Sequence, residues 1–182
     1  MEIRELKLKG TYELTPKIFE DERGYFSETF KTAIFEERKL ATKWIQENQS
    51  FTRDKCTIRG LHFQAPPFAQ TKLVRAITGR ILDVFVDVRK SSPTYGRWDS
   101  IELSGEKCNA VYISRGFAHG FCTLESDTLV QYKVDSVYSR DHEGGLIWND
   151  PALAIDWNCD SPLLSEKDKE LPLFADLNSP FA

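Results

Sequence analysis

Apolar and β-branched residues gather in short runs along this chain rather than at helical spacing. The runs are Lys72–Thr78, Ile81–Val88, Ser100–Leu103, Ala110–Ile113 and Thr128–Val134. Turn formers separate them: Gly79, Ser91-Ser92-Pro93, Gly96 and Ser104-Gly105-Glu106. Short strands punctuated in this way predict an all-β sandwich or barrel. Two short helical pieces are expected beside it, one at Thr32–Lys39 and one after Ser165, where SEKDKE opens on a serine cap. No linker, repeat or low-complexity tract interrupts the pattern, so residues 1–182 read as one domain.

The alternation also assigns faces. In ILDVFVDVR, Leu82, Val84, Val86 and Val88 share one face, and Asp83, Phe85 and Asp87 share the other. Val130, Tyr132 and Val134 lie together, as do Lys72, Val74 and Ala76. A lysine or tyrosine on an apolar strand face either points into a cavity or snorkels at a rim.

Composition narrows the function classes. The hydrophobic share of 41% is that of an ordinary globular chain, and no apolar run approaches the ~20 residues that span a bilayer. The opening MEIRELKLKG is charged and has no apolar signal core, so a cytoplasmic location is expected, with no membrane partner. A net charge of −4 weighs against nucleic-acid binding, which needs a positive field. It leaves room for a local basic pocket. Cys56, Cys108, Cys122 and Cys159 form no CxxC pair, and all four are expected to be free thiols.

The chain holds only 3 histidines, and two of them, His62 in RGLHFQ and His119 in GFAHGF, sit in strand-like segments. A metal site on β-strands would want His-x-His with a glutamate shortly after it and a further histidine on a later strand. Here Gln64 takes the second position, and no glutamate occurs between it and Gly79. Two imidazoles without carboxylate or thiolate support make a poor zinc or iron site, so no metal is expected. Structural and acid–base roles remain open for both.

Several longer stretches carry a resemblance. DERGYFSETF (21–30), QEN (46–48), RGLHFQ (59–64), QTKLVRAITGRILDVFVDVRKSSPTYGRW (70–98), ISRGFAHGF (113–121), IWNDPALAIDW (147–157) and LSEKD (164–168) occur in this order. The chain resembles the dTDP-4-dehydrorhamnose 3,5-epimerases over nearly its whole length. The resemblance implies a jelly-roll (double-stranded β-helix) fold of the cupin type and a homodimer in which N-terminal strands are exchanged or packed between subunits. It further implies a nucleotide-diphosphate sugar as substrate, no cofactor, and a place in dTDP-L-rhamnose biosynthesis.

The implied chemistry has a plain logic. In a 4-keto sugar the hydrogens at C3 and C5 are acidic, and inversion needs a base on one face, an acid on the other, and positive charge at the enolate oxygen. By resemblance, His62 is the base, Asp168 its carboxylate partner, Tyr132 the opposite-face donor, and Lys72 the enolate stabiliser. His119 contacts substrate. Arg23 and Arg59 bind the diphosphate, for which the guanidinium fork is suited. Glu28, Gln46, Glu47 and Asn48 contact nucleotide and sugar, Tyr138 stacks on the base, and Glu143 and Lys167 lie near the rim.

Arg59 and His62 are three positions apart, so a regular strand would point them to opposite faces; a bulge or bend at Gly60 is therefore predicted. The family's usual QDN-H-S-x-S reads QENQSFT here, with Gln49 in place of histidine, which touches the expected nucleotide contacts. Other readings are a C3-only or C5-only epimerase, one acting on another nucleotide's sugar, a sugar ketoisomerase, and a ligand-binding module without catalysis.

Overall fold

The computed structural model describes residues 1–182. Its strands are β1 (Glu2–Glu5), β2 (Thr11–Thr15), β3 (Ile18–Asp21), β4 (Gly24–Ser27), β5 (Gln46–Thr52), β6 (Ile58–Gln64), β7 (Lys72–Thr78), β8 (Arg80–Asp87), β9 (Trp98–Ser104), β10 (Ala110–Ile113), β11 (Phe117–Thr123), β12 (Thr128–Val134) and β13 (Glu143–Gly145). The helices are α1 (Thr32–Glu37) and α2 (Glu166–Lys169). Each predicted run coincides with a strand, although β8 ends at Asp87, one residue short of the expected Val88; both helical pieces form, and α1 stops at Glu37, short of the expected Lys39. Ser165 does cap α2, accepting the Asp168 N–H.

Two antiparallel sheets face each other, one ordered β1-β2-β10-β7-β12-β5 and the other β13-β6-β11-β8-β9. This is a jelly roll of the cupin type. The core is layered as the alternation requires. Val74, Ala76, Ile81, Phe85, Val111, Phe121 and Val130 fill the space between the sheets. Leu82, Val84, Val86 and Val88 face the other way and pack beneath the C-terminal chain at Leu153, Trp157 and Phe181. Outside the larger sheet, Phe35 of α1 is fully buried beside Leu73, Ala110 and Tyr112. β8 is thus buried on both faces, so Asp83, Phe85 and Asp87 lie inside the protein rather than at its surface.

The irregularity expected in β6 is present. His62 pairs with His119 and Arg59 with Phe121, so Gly60 and Leu61 together oppose Gly120 alone. The extra residue resets the side-chain parity: Arg59 and His62 point to one side, while Ile58, Leu61 and Phe63 pack on the other. Only glycine fits at position 60. Its φ is +118°, and an added Cβ would lie 2.6 Å from Gly120 Cα and 2.7 Å from the His119 carbonyl oxygen.

One expectation is corrected. Cys56 and Cys159 are joined as a disulfide, leaving Cys108 and Cys122 as the free thiols. The two half-cystines are 103 positions apart in sequence, and only the fold brings their Cα atoms to 5.6 Å, within bonding range. No helix is long and apolar enough to cross a membrane.

β3 and β4 form a separate two-stranded hairpin outside both main sheets. It exposes Phe19, Tyr25 and Phe26, each more than half accessible. β1 and β2 extend the larger sheet of their own chain.

Candidate active site

One end of the space between the sheets is not filled by apolar side chains. It forms a cavity of about 540 Å³ whose polar lining includes Arg59, His62, Lys72, His119, Tyr132 and Asp168. A second lobe of about 340 Å³ shares His62, Lys72 and Tyr132 and adds Gln46, Asn48 and Glu143. His62 enters from β6 of the smaller sheet and Tyr132 from β12 of the larger, so the two approach from opposite walls.

His62 Nε2 lies 2.7 Å from Asp168 Oδ1. Burial by itself would push the Asp168 carboxyl up. The hydrogen bond and charge of His62, with contributions from the Gly60 amide and Ser165, outweigh it and hold the group below the ordinary carboxylate range. An ionised carboxylate only accepts, so Nε2 carries the hydrogen, and the lone pair of the neutral ring is the one on Nδ1.

A second chain of contacts lies beside the first. His119 Nε2 is 3.0 and 2.9 Å from the two oxygens of Asp83, a fully buried carboxylate. Its Nδ1 is 3.4 Å from Lys72 Nζ. Burial pushes the His119 imidazole toward its neutral form, partly opposed by Asp83 and reinforced by Lys72. The neutral ring donates to Asp83 through Nε2 and accepts from the Lys72 ammonium through Nδ1. Burial also pulls the Lys72 ammonium down to about 8, with Asp83 and Glu143 opposing. Tyr132 moves the other way: burial raises its phenol, and Asn48 and Arg59 only partly offset this. At neutral pH the cavity therefore holds a protonated lysine and a protonated tyrosine.

At the rim, Lys167 Nζ is 2.6 Å from Glu143, whose other oxygen accepts the Tyr138 hydroxyl at 2.9 Å. Arg59 donates through Nε to the Thr52 hydroxyl at 3.2 Å.

The family model described as dTDP-4-dehydrorhamnose 3,5-epimerase matches residues 5–176. The chain belongs to the dTDP-4-dehydrorhamnose 3,5-epimerase family. It is 46% identical to the enzyme of that name from Sinorhizobium fredii, over 97% of this chain and 89% of the relative. The crystal structure of the Bacillus anthracis 3,5-epimerase with TDP and PPi bound aligns with a TM-score of 0.92 at 44% identity, covering 95% of this chain and 99% of that one. A Legionella pneumophila 3,5-epimerase in complex with dTDP-4-keto-L-rhamnose aligns at 0.92 and 36% identity, covering 97% and 94%. As a member of this epimerase family, the protein is an isomerase.

Of the residues expected at a 3,5-epimerase site, His62, Asp168, Lys72, His119, Tyr132, Arg59 and Lys167 line the larger lobe. Gln46, Asn48, Tyr138 and Glu143 line the smaller one. Lys72 and Tyr132 thus point into the cavity; they are not snorkelling rim residues. Gln64, at the second position of the tested metal pattern, is spent on the loops: it donates to the carbonyls of Phe68 and Val137 and accepts from the Ser139 N–H.

Three expected residues do not reach this cavity within one chain. Glu47 sits on the outer face of β5, where it pairs with Lys133 at 2.6 Å, because strand alternation turns it away from Gln46 and Asn48. Arg23, at the hairpin turn, is paired with Asp21, and Glu28 lies 3.7 Å from Lys31. The same alternation puts Gln49 on the exposed face opposite Gln131, so the departure at that position lies away from the cavity.

Asp83 was not among the expected residues. Its signal in the sequence is a carboxylate alternating in register with Phe85 on a face that proves to be interior. Ser50 was also not expected: its hydroxyl is buried in the cavity wall without a hydrogen-bond partner.

Proposed function

We propose that this protein epimerises C3 and C5 of dTDP-4-keto-6-deoxy-D-glucose to give dTDP-4-keto-L-rhamnose, by removing and returning protons through an enolate. The carrying observation is His62, held by Asp168 on one wall of a cavity, with protonated Tyr132 on the opposite wall and Lys72 also in its lining. His62 Nδ1 takes the proton from the carbon next to the carbonyl, and Asp168 stabilises the imidazolium that results. The Lys72 ammonium, oriented by His119 and Asp83, meets the negative charge that develops on the carbonyl oxygen. Tyr132 returns a proton from the other face. The carbonyl supplies the acidity, so no cofactor enters the scheme. Arg59 and Lys167 supply the positive charge for the diphosphate in an otherwise acidic protein.

Proton NMR of the substrate in D₂O tests this directly. Loss of both the C3 and the C5 proton signals, with an L-sugar product, is expected; exchange at one carbon alone would reassign the protein as a monofunctional epimerase. Tyr132→Phe separates the two faces. It should retain deuterium exchange, because His62 can return deuterium to the face it came from, while formation of the inverted product falls by about 10²-fold. Equal loss of exchange and inversion would remove Tyr132 from the donor role.

We further propose that the active form is a homodimer in which the β3–β4 hairpin lies against the partner. Three exposed aromatics on one small hairpin favour a covered surface. The pairing would also give Arg23 and Glu28, idle within one chain, a cavity to serve. Phe26→Asp is expected to yield monomer on gel filtration and to weaken dTDP binding about tenfold or more. A dimer with unchanged affinity would refute this placement.

A further inference from the structure

The part of the cavity wall that carries Asp168 is a length of chain with little buried surface, tied to β13 by the Lys167–Glu143 ion pair and otherwise held mainly to β6. From residue 158 to residue 167 no side chain is buried, and Asp168 is the first that is. Three anchors fix this length to β6. Cys159 is bonded to Cys56, two residues before β6 begins. Leu163 then bridges Thr57: its N–H donates to the Cys56 carbonyl at 2.9 Å, and its own carbonyl accepts from the Ile58 N–H at 3.0 Å. Last, Asp168 meets His62 at 2.7 Å and accepts from the Gly60 N–H at 3.4 Å. Between the second and third anchors lie Leu164, Ser165 and Lys167, all lining the cavity. Segments with little buried surface open at low free-energy cost, so their order rests on such anchors.

The disulfide is the covalent one, and it is placed to be acted on. Both half-cystines are partly exposed. Neither belongs to the acid–base set, so a change at the bond reaches the chemistry only through the chain it ties.

We propose that Cys56–Cys159 is a redox-controlled latch on the active-site wall. Closed, it holds the 159–168 segment so that Asp168 meets His62; opened by a dithiol reductant, it loosens that wall and lowers turnover. The proposal rests on the pairing of Asp168 with the base described above. The step is thiol–disulfide exchange. A thiolate of the dithiol attacks one protein sulfur and expels the other as thiolate; the reductant's second thiolate then attacks the reductant sulfur of this mixed disulfide and releases the remaining protein cysteine as thiolate. The reductant leaves as a disulfide, and Cys56 and Cys159 gain two electrons and two protons as free thiols. Asp168 is here a positioning residue for His62. Cys108, held against Tyr25, and Cys122, buried in the core, lie outside the cavity and serve as controls.

The test uses the full-length enzyme equilibrated in oxidised and reduced dithiothreitol at a series of ratios. Alkylation mass mapping, kcat and KM are read at each ratio, well below the melting temperature. The expected result is a fall in kcat of about ten- to a hundredfold that follows the fraction of alkylated Cys56 and Cys159, exceeds the change in KM, and reverses on reoxidation. Cys159→Ser should show the reduced level in every buffer, and Cys108→Ser should respond as wild type. Hydrogen exchange at the Leu163 and Asp168 amides reads the latch without turnover and should quicken on reduction. Unchanged exchange there, or full alkylation of both cysteines in protein never reduced, overturns the latch itself. Faster exchange with kcat unchanged overturns its control of catalysis, while the role given to Asp168 is read separately by Asp168→Asn, which leaves the disulfide in place.

Discussion

Replacing His62 by alanine should lower kcat by about 10²–10⁴-fold and abolish deuterium uptake at both C3 and C5, with the fold intact. The size follows from the position of the side chain. His62 is the one imidazole in the cavity with a carboxylate on one nitrogen and the cavity on its other side. His119 cannot substitute for it, because burial keeps that ring neutral and its two nitrogens are engaged by Asp83 and Lys72. The substitution should be tolerated structurally: His62 is only partly buried, and its neighbours Leu61 and Phe63 pack on the opposite face of β6. Steady-state kinetics with circular dichroism checks both halves. Activity within tenfold of wild type in a folded His62→Ala protein would remove the assignment of the base. Asp168→Asn should fall between the two, since the imidazole remains while its orienting charge is lost.

The second large effect concerns Lys72. Lys72→Ala should cost about 10²–10³-fold in kcat, the scale found when a preorganised donor to a developing oxyanion is removed. Lysine gives this prediction a pH signature. In the proposed mechanism the ammonium is the working form, and burial brings it down to about 8. It is present below that pH and lost as pH rises through it, so kcat/KM should decline above about pH 8. The Tyr132 phenol is shifted upward by burial and so titrates well beyond this limb. Lys72→Arg discriminates between sources: a guanidinium stays charged throughout, so the alkaline limb should move out of range even though the altered geometry lowers the rate. A limb that stays near pH 8 in the arginine variant would assign it to another group.

Much of the fold was legible because strand periodicity records burial directly. The faces of β8 and the sharing of one side by Lys72 with Val74 follow from a period of two, whatever the rest of the chain does. The bulge at Gly60 was legible for the same reason, since two functional side chains at odd spacing cannot share a face of a regular strand. That His62, Lys72, Tyr132 and Asp168 line one cavity was legible through their match to known motifs.

What the sequence could not supply were relations between distant positions. Local pattern does not say which of two faces is interior, so Asp83 looked like a polar alternate until the second sheet closed over it. Nor does it report distance between residues remote in the chain: Cys56 and Cys159 looked like two free thiols until packing placed them 5.6 Å apart. Glu47 adjoins two cavity residues in sequence, yet backbone pleating turns it to Lys133 on the other side of the sheet. The sequence by itself thus determined which residues lie on which face of each strand, because that is set by neighbours along the chain. Only the tertiary structure decided which faces meet, which charges are enclosed together, and which cysteines touch, because burial and proximity arise only when separate strands close around a common space.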